Sequence, residues 1–535
     1  MNRRSSAHGV RVHLVSRTLV RESRRLVAPL VVVAIAVGSA TIAASFSATW
    51  STAFDRAAQL HAGADVRVSS RFAPITAAQF EAVSSIEDAE VVAPLDSQVL
   101  SVGPVTGTTL SASPEAIRSV AITADAAAIA DAIEVVHPGP VVAEGRGDLS
   151  LLVESIGFDA APTIAAWVAD PLGHLVRIAF ESPTAEPDGM LRYTSAGTVA
   201  PGTILAFDLG LAPMTDPMTP ATFRLMELSA SGAGGDEVLD ITQFWIADTF
   251  LSRRYPPSPL SDGSGFEMDE GLSSLRLTAA LDGTANDLVR PSVVISQRIA
   301  DELALVEGDL VVFALRNDVE PLNSTVTGIL PAIPGSRTGS AVLIDLSVTL
   351  HLQLRTEKLP GQTTDLWVKT GAQEAVREEI RPLLAANTRI EVSSDPVGRE
   401  VLGAAAIALW AVAVCCAIVA VIAVSSASSA RTRWGRGDVA ALRALGVGAK
   451  DQSAIVVREM LVVLAIAVVT GIVAGAVVSM LTVPELARAA VDRASLAGRT
   501  VLEVHLVGLG ILLSALAAGV AAVLIGLARR TRLLA

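Results

Sequence analysis

Four long apolar runs punctuate the chain, at residues 26–50, 402–424, 456–481 and 504–527. None carries a charge in its centre. Each is long enough to cross the ~30 Å hydrocarbon core of a bilayer as a helix. The first follows a basic start, 1–25, whose 12–26 part reads as an interfacial helix. A cleaved secretory signal is the rival reading of that run. Its apolar stretch exceeds the ~7–15 residues of a signal core, so an uncleaved anchor is expected. Trp50 and Phe54 are expected at the outer interface.

Residues 51–400 hold no further credible span and read as one large extracytoplasmic domain. A helix is expected over 76–86, with Thr76 as its start signal, then a strand over 90–95 and an Ala-rich helix over 114–133. The pattern changes over 149–231. Short strands at 163–169, 175–181, 203–209 and 222–229 alternate with turn clusters such as Asp170-Pro171-Leu172-Gly173 and Pro187-Asp188-Gly189. This spacing predicts a β-sandwich-like insertion, either a binding module or a spacer. Residues 252–271, rich in Pro, Ser, Gly and acid, read as a linker. Its acids Asp262, Glu267, Asp269 and Glu270 lack the spacing of a calcium loop. Residues 288–395 return to mixed helix and strand and read as a membrane-proximal α+β part. The expected fold class is therefore an α-helical integral membrane protein with four transmembrane helices, one before and three after a large α+β extracytoplasmic domain.

Charge fixes the sidedness. The 535-residue chain has a net charge of −13, but 51–400 alone carries an excess of 25 negative charges. Residues 1–25, the 425–455 loop and the 528–535 tail are basic. With four spans these basic segments share one face of the membrane, and the acidic domain and the 482–503 loop share the other. That places both termini in the cytoplasm of a multi-pass protein of the cell membrane. The same distribution argues against a nucleic-acid binder, because the basic residues sit beside spans. Small residues recur every four positions at Ser39, Ala43 and Ser47, and at Gly471, Gly475 and Ser479, a spacing that brings helix backbones close. Arg458 and Glu459 sit at the cytoplasmic mouth of the third span and are expected to snorkel as a pair.

Candidate chemistry is sparse. Cys415 and Cys416 are adjacent inside a span and cannot staple the large domain. No phosphate-binding Gly-x-x-x-x-Gly-Lys-Ser/Thr, Gly-x-Ser-x-Gly or His-Glu-x-x-His occurs, and the seven histidines are scattered. No catalytic residue, metal or cofactor is expected in this chain.

One cytoplasmic stretch stands out, Asp438-Val439-Ala440-Ala441-Leu442-Arg443-Ala444-Leu445-Gly446. Val439, Leu442 and Leu445 recur every three positions and share one face of a short helix. Asp438 at its start and Arg443 in its last turn both suit the helix dipole, and Gly446 ends it. A second helix then begins near Asp451 and enters the membrane through Arg458 and Glu459.

This stretch resembles the coupling segment of the FtsX-like permease family, the membrane subunits of MacB-type ABC systems. Asp438 stands where many members have Glu. The outer domain carries further similar fragments: Gly63-Ala64-Asp65-Val66-Arg67-Val68, then Val293–Ser296, Gly308-Asp309, Ile333-Pro334-Gly335, 342–346 and Asp365-Leu366-Trp367-Val368-Lys369. The resemblance implies mechanotransmission. A separate cytoplasmic ABC ATPase binds and hydrolyses ATP, Val439, Leu442 and Leu445 fill its groove, and Asp438 and Arg443 set orientation. A second permease copy or a homologous half is the expected membrane partner. Two other classes fit the architecture: a sensory protein whose outer domain binds an envelope component or peptide, and an anchored binding ectodomain.

Overall fold

A computed structural model describes residues 3–434, 448–490 and 502–534, apart from 71–72, 136–138, 216–219, 233–234, 242–244, 249–256, 261–263, 269–272, 281–289, 316–320, 357–359, 362 and 395–398. The chain forms two compact units: residues 1–56 with 396–535, and residues 57–395.

The first unit is built on four helices: α1 (Arg3–Ala62), α8 (Arg399–Trp434), α9 (Ala449–Ala490) and α10 (Leu506–Leu534). Their apolar parts, Val27–Ala62, Gly403–Ala430, Val457–Leu486 and Leu506–Arg529, are each long and apolar enough to cross a membrane. They extend the expected spans. Residues 425–434 and 449–455 are helical because Ala, Ser, Arg and Lys keep propagating hydrogen bonds begun in the apolar part. Pro484 reads as a breaker in sequence, yet α9 runs through it. A proline deletes one backbone bond, and Glu485, Leu486 and Ala487 after it are good helix formers. The residues expected as interfacial anchors pack within the chain. Phe46, Trp50 and Phe54 stack along α1 with ring centroids 5.0 and 5.3 Å apart, and all three are buried.

The second unit holds a nine-stranded sheet among the described residues. In chain order its strands are β1 (Val66–Ser69), β2 (Val91–Val102), β3 (Val105–Ala112), β4 (Ser292–Ser296) and β5 (Leu310–Leu315). Then follow β6 (Leu322–Leu330), β7 (Ala341–Asp345), β8 (Asp365–Lys369) and β9 (Arg389–Val392). The spatial order is β5-β6-β4-β7-β3-β2-β8-β1-β9, and β5 also pairs with β2. Six strands therefore close on themselves around Leu100, Val102, Val293, Ile295, Phe313, Val326 and Ile344, while β8, β1 and β9 extend from β2 as a flange.

Short helices cover the sheet. Helix α2 (Ala77–Ser84) starts at a capping box: Gln79 N–H donates to the Thr76 hydroxyl, and the Gln79 side chain accepts from Thr76 N–H. The single helix expected over 114–133 is two, α3 (Pro114–Val120) and α4 (Ala126–Ile133). The break lets Ile122 N–H reach the carbonyl of Gly63. Helices α5 (Gln297–Leu303), α6 (Leu346–Thr356) and α7 (Gln373–Ile380) complete the layer.

The insertion is two packed antiparallel sheets, and it is wider than 149–231. One sheet orders Trp245–Asp248, Ser274–Ala279, Gly202–Gly210, Thr163–Ala169 and Leu175–Ala179; the other centres on Ala221–Gly232 and Arg146–Ile156. Their inner faces bury Leu149, Leu151, Tyr193, Phe207 and Phe223. Within the stretch expected as a linker, 252–271, the described residues 265–268 form a strand. Gly265–Met268 pairs with Ala221–Gly232 and buries Phe266 and Met268. That two-residue alternation is too short to stand out among Pro, Ser and acid.

The sandwich docks on the α/β part through its other face. Trp167, Leu175 and Leu205 pack on Leu346, Leu350 and Leu354 of α6, and Arg276 donates to the Leu354 carbonyl near the end of that helix. At the hairpin after Thr163–Ala169, His174 stacks on Phe80 of α2 with centroids 4.1 Å apart. Burial lowers the His174 pKa and raises that of Asp170 beside it. Below the ordinary histidine value of about 6.5, an unfolded imidazole takes a proton more readily than this one, so its contribution to stability falls as pH drops from there. Asp170 acts oppositely at lower pH, since the folded carboxyl binds its proton more readily. In melts between about pH 7 and 5.5, His174→Phe is expected to lose less stability on acidification than wild type; equal losses would show that the stack does not titrate.

Candidate functional site

The predicted coupling residues Asp438, Val439, Leu442, Arg443, Leu445 and Gly446 lie outside the described residues. Their flanks are described: α8 ends at Trp434 and α9 starts at Ala449. The stretch is thus the connection between two long helices.

Helix α9 carries a row of buried residues at four-residue intervals: Glu459, Val463, Ala467, Gly471, Gly475, Ser479 and Val483. The middle of this row meets α1. A Cβ added at Gly471 would sit 2.6 Å from the Ala34 carbonyl oxygen and 2.8 Å from the Val37 Cβ. One added at Gly475 would sit 2.8 Å from both the Gly38 oxygen and the Thr41 Cβ. The two backbones touch, as small residues at this spacing allow. The α9 half of the seam matches the sequence reading. On α1 the contact runs through Ala34, Val37, Gly38 and Thr41, whereas Ser39 and Ser47 are half-exposed. Helix α1 has several adjacent rows of small residues, and sequence alone does not rank them. The two residues at the expected Arg458–Glu459 mouth differ in exposure. Neighbours on a helix point about 100° apart, and Arg458 is exposed while Glu459 is 2% exposed.

The C-terminal half of α1 holds the start of α10. Glu503 accepts from the Thr52 hydroxyl at 2.6 Å and faces the Arg56 guanidinium at 3.5 Å; its N–H donates to the Thr49 hydroxyl. His505 N–H donates to the Ala44 carbonyl, and its Nδ1 accepts from Gly508 N–H, so the imidazole caps α10.

In the second unit, the last turn of α1 ends in a socket. A helix leaves its final carbonyls without partners. Here Gly335 N–H donates to the Leu60 carbonyl at 2.7 Å, and the Arg67 guanidinium donates to the His61 carbonyl at 3.1 Å. Arg67 also donates to the Gly335 carbonyl. Its other side forms a two-point ion pair with Asp365 at 2.7 and 2.8 Å, with both side chains only 4% exposed. Asp365 further accepts from the Thr364 hydroxyl. Gly63 turns the chain out of α1 at a φ of +74°; a Cβ there would come 2.6 Å from Trp367 and 2.7 Å from Gly335 N. Asp65 then accepts from Thr370 N–H and the Gln373 side chain, and its carbonyl accepts from Ser393 N–H.

Three fragments thus meet: 63–68 and, some 270 and 300 residues later, 333–335 and 365–369. Sequence reading noted all three but gave Arg67 no role. A lone arginine inside an apolar strand opposite a strand starting with Asp was the available signal. The socket fixes the exit of α1 with a buried cation, which also suits the negative end of the helix dipole. Among the described residues, no group of three or more His, Cys, Asp or Glu side chains is placed to hold a metal. No family model matches the chain, and no curated protein matches it.

Proposed function

We propose that this chain is the membrane subunit of an ABC-type mechanotransmission complex of the FtsX-like permease kind, with one span before the outer domain and three after it. A separate cytoplasmic ATPase supplies ATP hydrolysis. A second copy or homologous half completes the membrane part, and both termini are cytoplasmic. The observation that carries the reading is the position of the 438–446 motif between α8 and α9. Helix α9 packs backbone to backbone on α1, and the last turn of α1 is held in the β1–β8 socket. A push on the motif enters α9, is shared with α1 across Gly471 and Gly475, and reaches the outer sheet along one continuous helix. The bundle interior around Leu30, Val33, Val424, Met460, Val463 and Val520 is apolar, which suits a transmitting device better than an ion path.

The test is co-purification from native membranes. An ATPase is expected with wild type, and its loss is expected from the Leu442→Asp, Leu445→Asp double variant at equal membrane abundance. If no ATPase accompanies wild type in several mild detergents, the coupling reading fails and the outer domain is better read as a sensor.

A further inference from the structure

Strand β5 has an open edge. Val326 N–H donates to the Asp309 carbonyl and Gly308 N–H to the Val326 carbonyl, which sets the ladder between β5 and β6. Antiparallel strands bond on alternate residues, so Leu310 and Val312 direct their own N–H and C=O groups away from β6. On that far side β2 pairs only with Ala314 and Leu315, and β2 ends at Val102. Among the described residues no strand pairs with Leu310 or Val312 there.

Natural sheets guard such edges with lysines, prolines or bulges. This one presents aliphatic side chains instead. Leu310 is 54% and Val312 50% exposed, and Val306, one tight turn before them, is 61% exposed. The same turn carries two acids. Glu307 is exposed; the Asp309 carboxylate accepts from Val306 N–H, and neither acid forms an ion pair with a described residue. Val99 on β2 adds a further exposed aliphatic group to the outer face of the closed strands.

We propose that this edge takes up an extended, cationic peptide segment by strand addition. The backbone groups of Leu310 and Val312 would supply the ladder, alternate aliphatic residues of the partner would cover Val306, Leu310 and Val312, and its basic residues would face Glu307 and Asp309. Strand addition is an established way for a sheet edge to bind peptides. A lipid surface fits less well, because it offers no ladder and anionic headgroups meet carboxylates.

The test uses the full chain in detergent micelles and fluorescence anisotropy with a short, labelled, alternating Lys-Val peptide. Wild type is expected to bind it. A Glu-Val peptide and a Lys-Val peptide N-methylated on alternate amides are expected not to bind. Glu307→Lys should weaken binding about tenfold, the equivalent of one well-placed charge contact. Val312→Pro should abolish it, because it removes an edge donor where proline is otherwise tolerated. Unchanged melting of both variants keeps folding out of the comparison. Absence of wild-type binding, or equal binding of the N-methylated peptide, overturns the proposal. So does a shift in oligomeric state on Val312→Pro with peptide binding unaffected, which would assign the edge to a second copy.

Discussion

Arg67→Ala is expected to destabilise the α/β unit by about 3–5 kcal/mol, the cost of breaking one side of a buried ion pair. Arg67 and Asp365 are both almost fully buried, and each holds the other in place. Removing the guanidinium leaves the Asp365 carboxylate with the Thr364 hydroxyl but no cation. It also strips a donor from the carbonyls of His61 and Gly335. The double variant Arg67→Met, Asp365→Leu should recover most of the loss, because two apolar groups of similar volume leave no charge stranded. Trp367, 1% exposed and packed on Gly63, is a natural fluorescent reporter for urea unfolding of this region. A single variant within about 1 kcal/mol of wild type would show that water reaches the pair and that the socket is weaker than its geometry indicates.

Gly475→Leu is the second large effect, expected in the helix bundle. Even a Cβ at this position would stand 2.8 Å from a backbone oxygen of α1, and backbone cannot swing aside as a side-chain tip can. Overpacking in a tight interior costs about 1–3 kcal/mol, and against the Gly38 backbone and the Thr41 Cβ the upper end is expected. Ala474→Leu is the matched control. Its position is one residue away and exposed, facing what the apolar surface of α9 predicts to be lipid. Thermal unfolding in micelles should separate the two variants clearly. If they melt alike, α1 and α9 part readily and the seam does not tie them. On the proposed function, Gly475→Leu should also leave ATPase binding intact while uncoupling hydrolysis from changes in the outer domain.

How far the sequence could be read depended on the length of each signal. The four apolar helices were legible because each repeats one property over more than twenty residues. The strand Thr163–Ala169 was legible as a short apolar run with flanking turns. Strand 265–268 was not, since only Phe266 and Met268 point inward. The end of α1 shows the limit for the site. Gly63, Gly335 and Arg67 were each visible, but a hydrogen bond between Leu60 and Gly335 joins residues that no local periodicity links. Exposure of Leu310 and Val312 was equally hidden, because an alternating strand reads the same whether or not a neighbour covers its edge.

The order in which the strands are made has a consequence for synthesis. β1 lies between β8 and β9, and the first half of β2 also pairs with β8. A ribosome delivers β1 and β2 roughly 300 residues before those partners. The sandwich is complete in sequence by Ala279 and buries its own core, so it can fold while the sheet beneath it is still waiting. Until residues 365–369 emerge, β1 and the first half of β2 lack their partner strand and Arg67 has no acid to meet. The long gap itself adds little to the final stability balance, because closure entropy grows only with the logarithm of loop length. Its cost is time, and it falls in the interval when unpaired edges are most prone to bind the wrong neighbour. Whatever shields the nascent chain is therefore expected to meet β1 and β2 first.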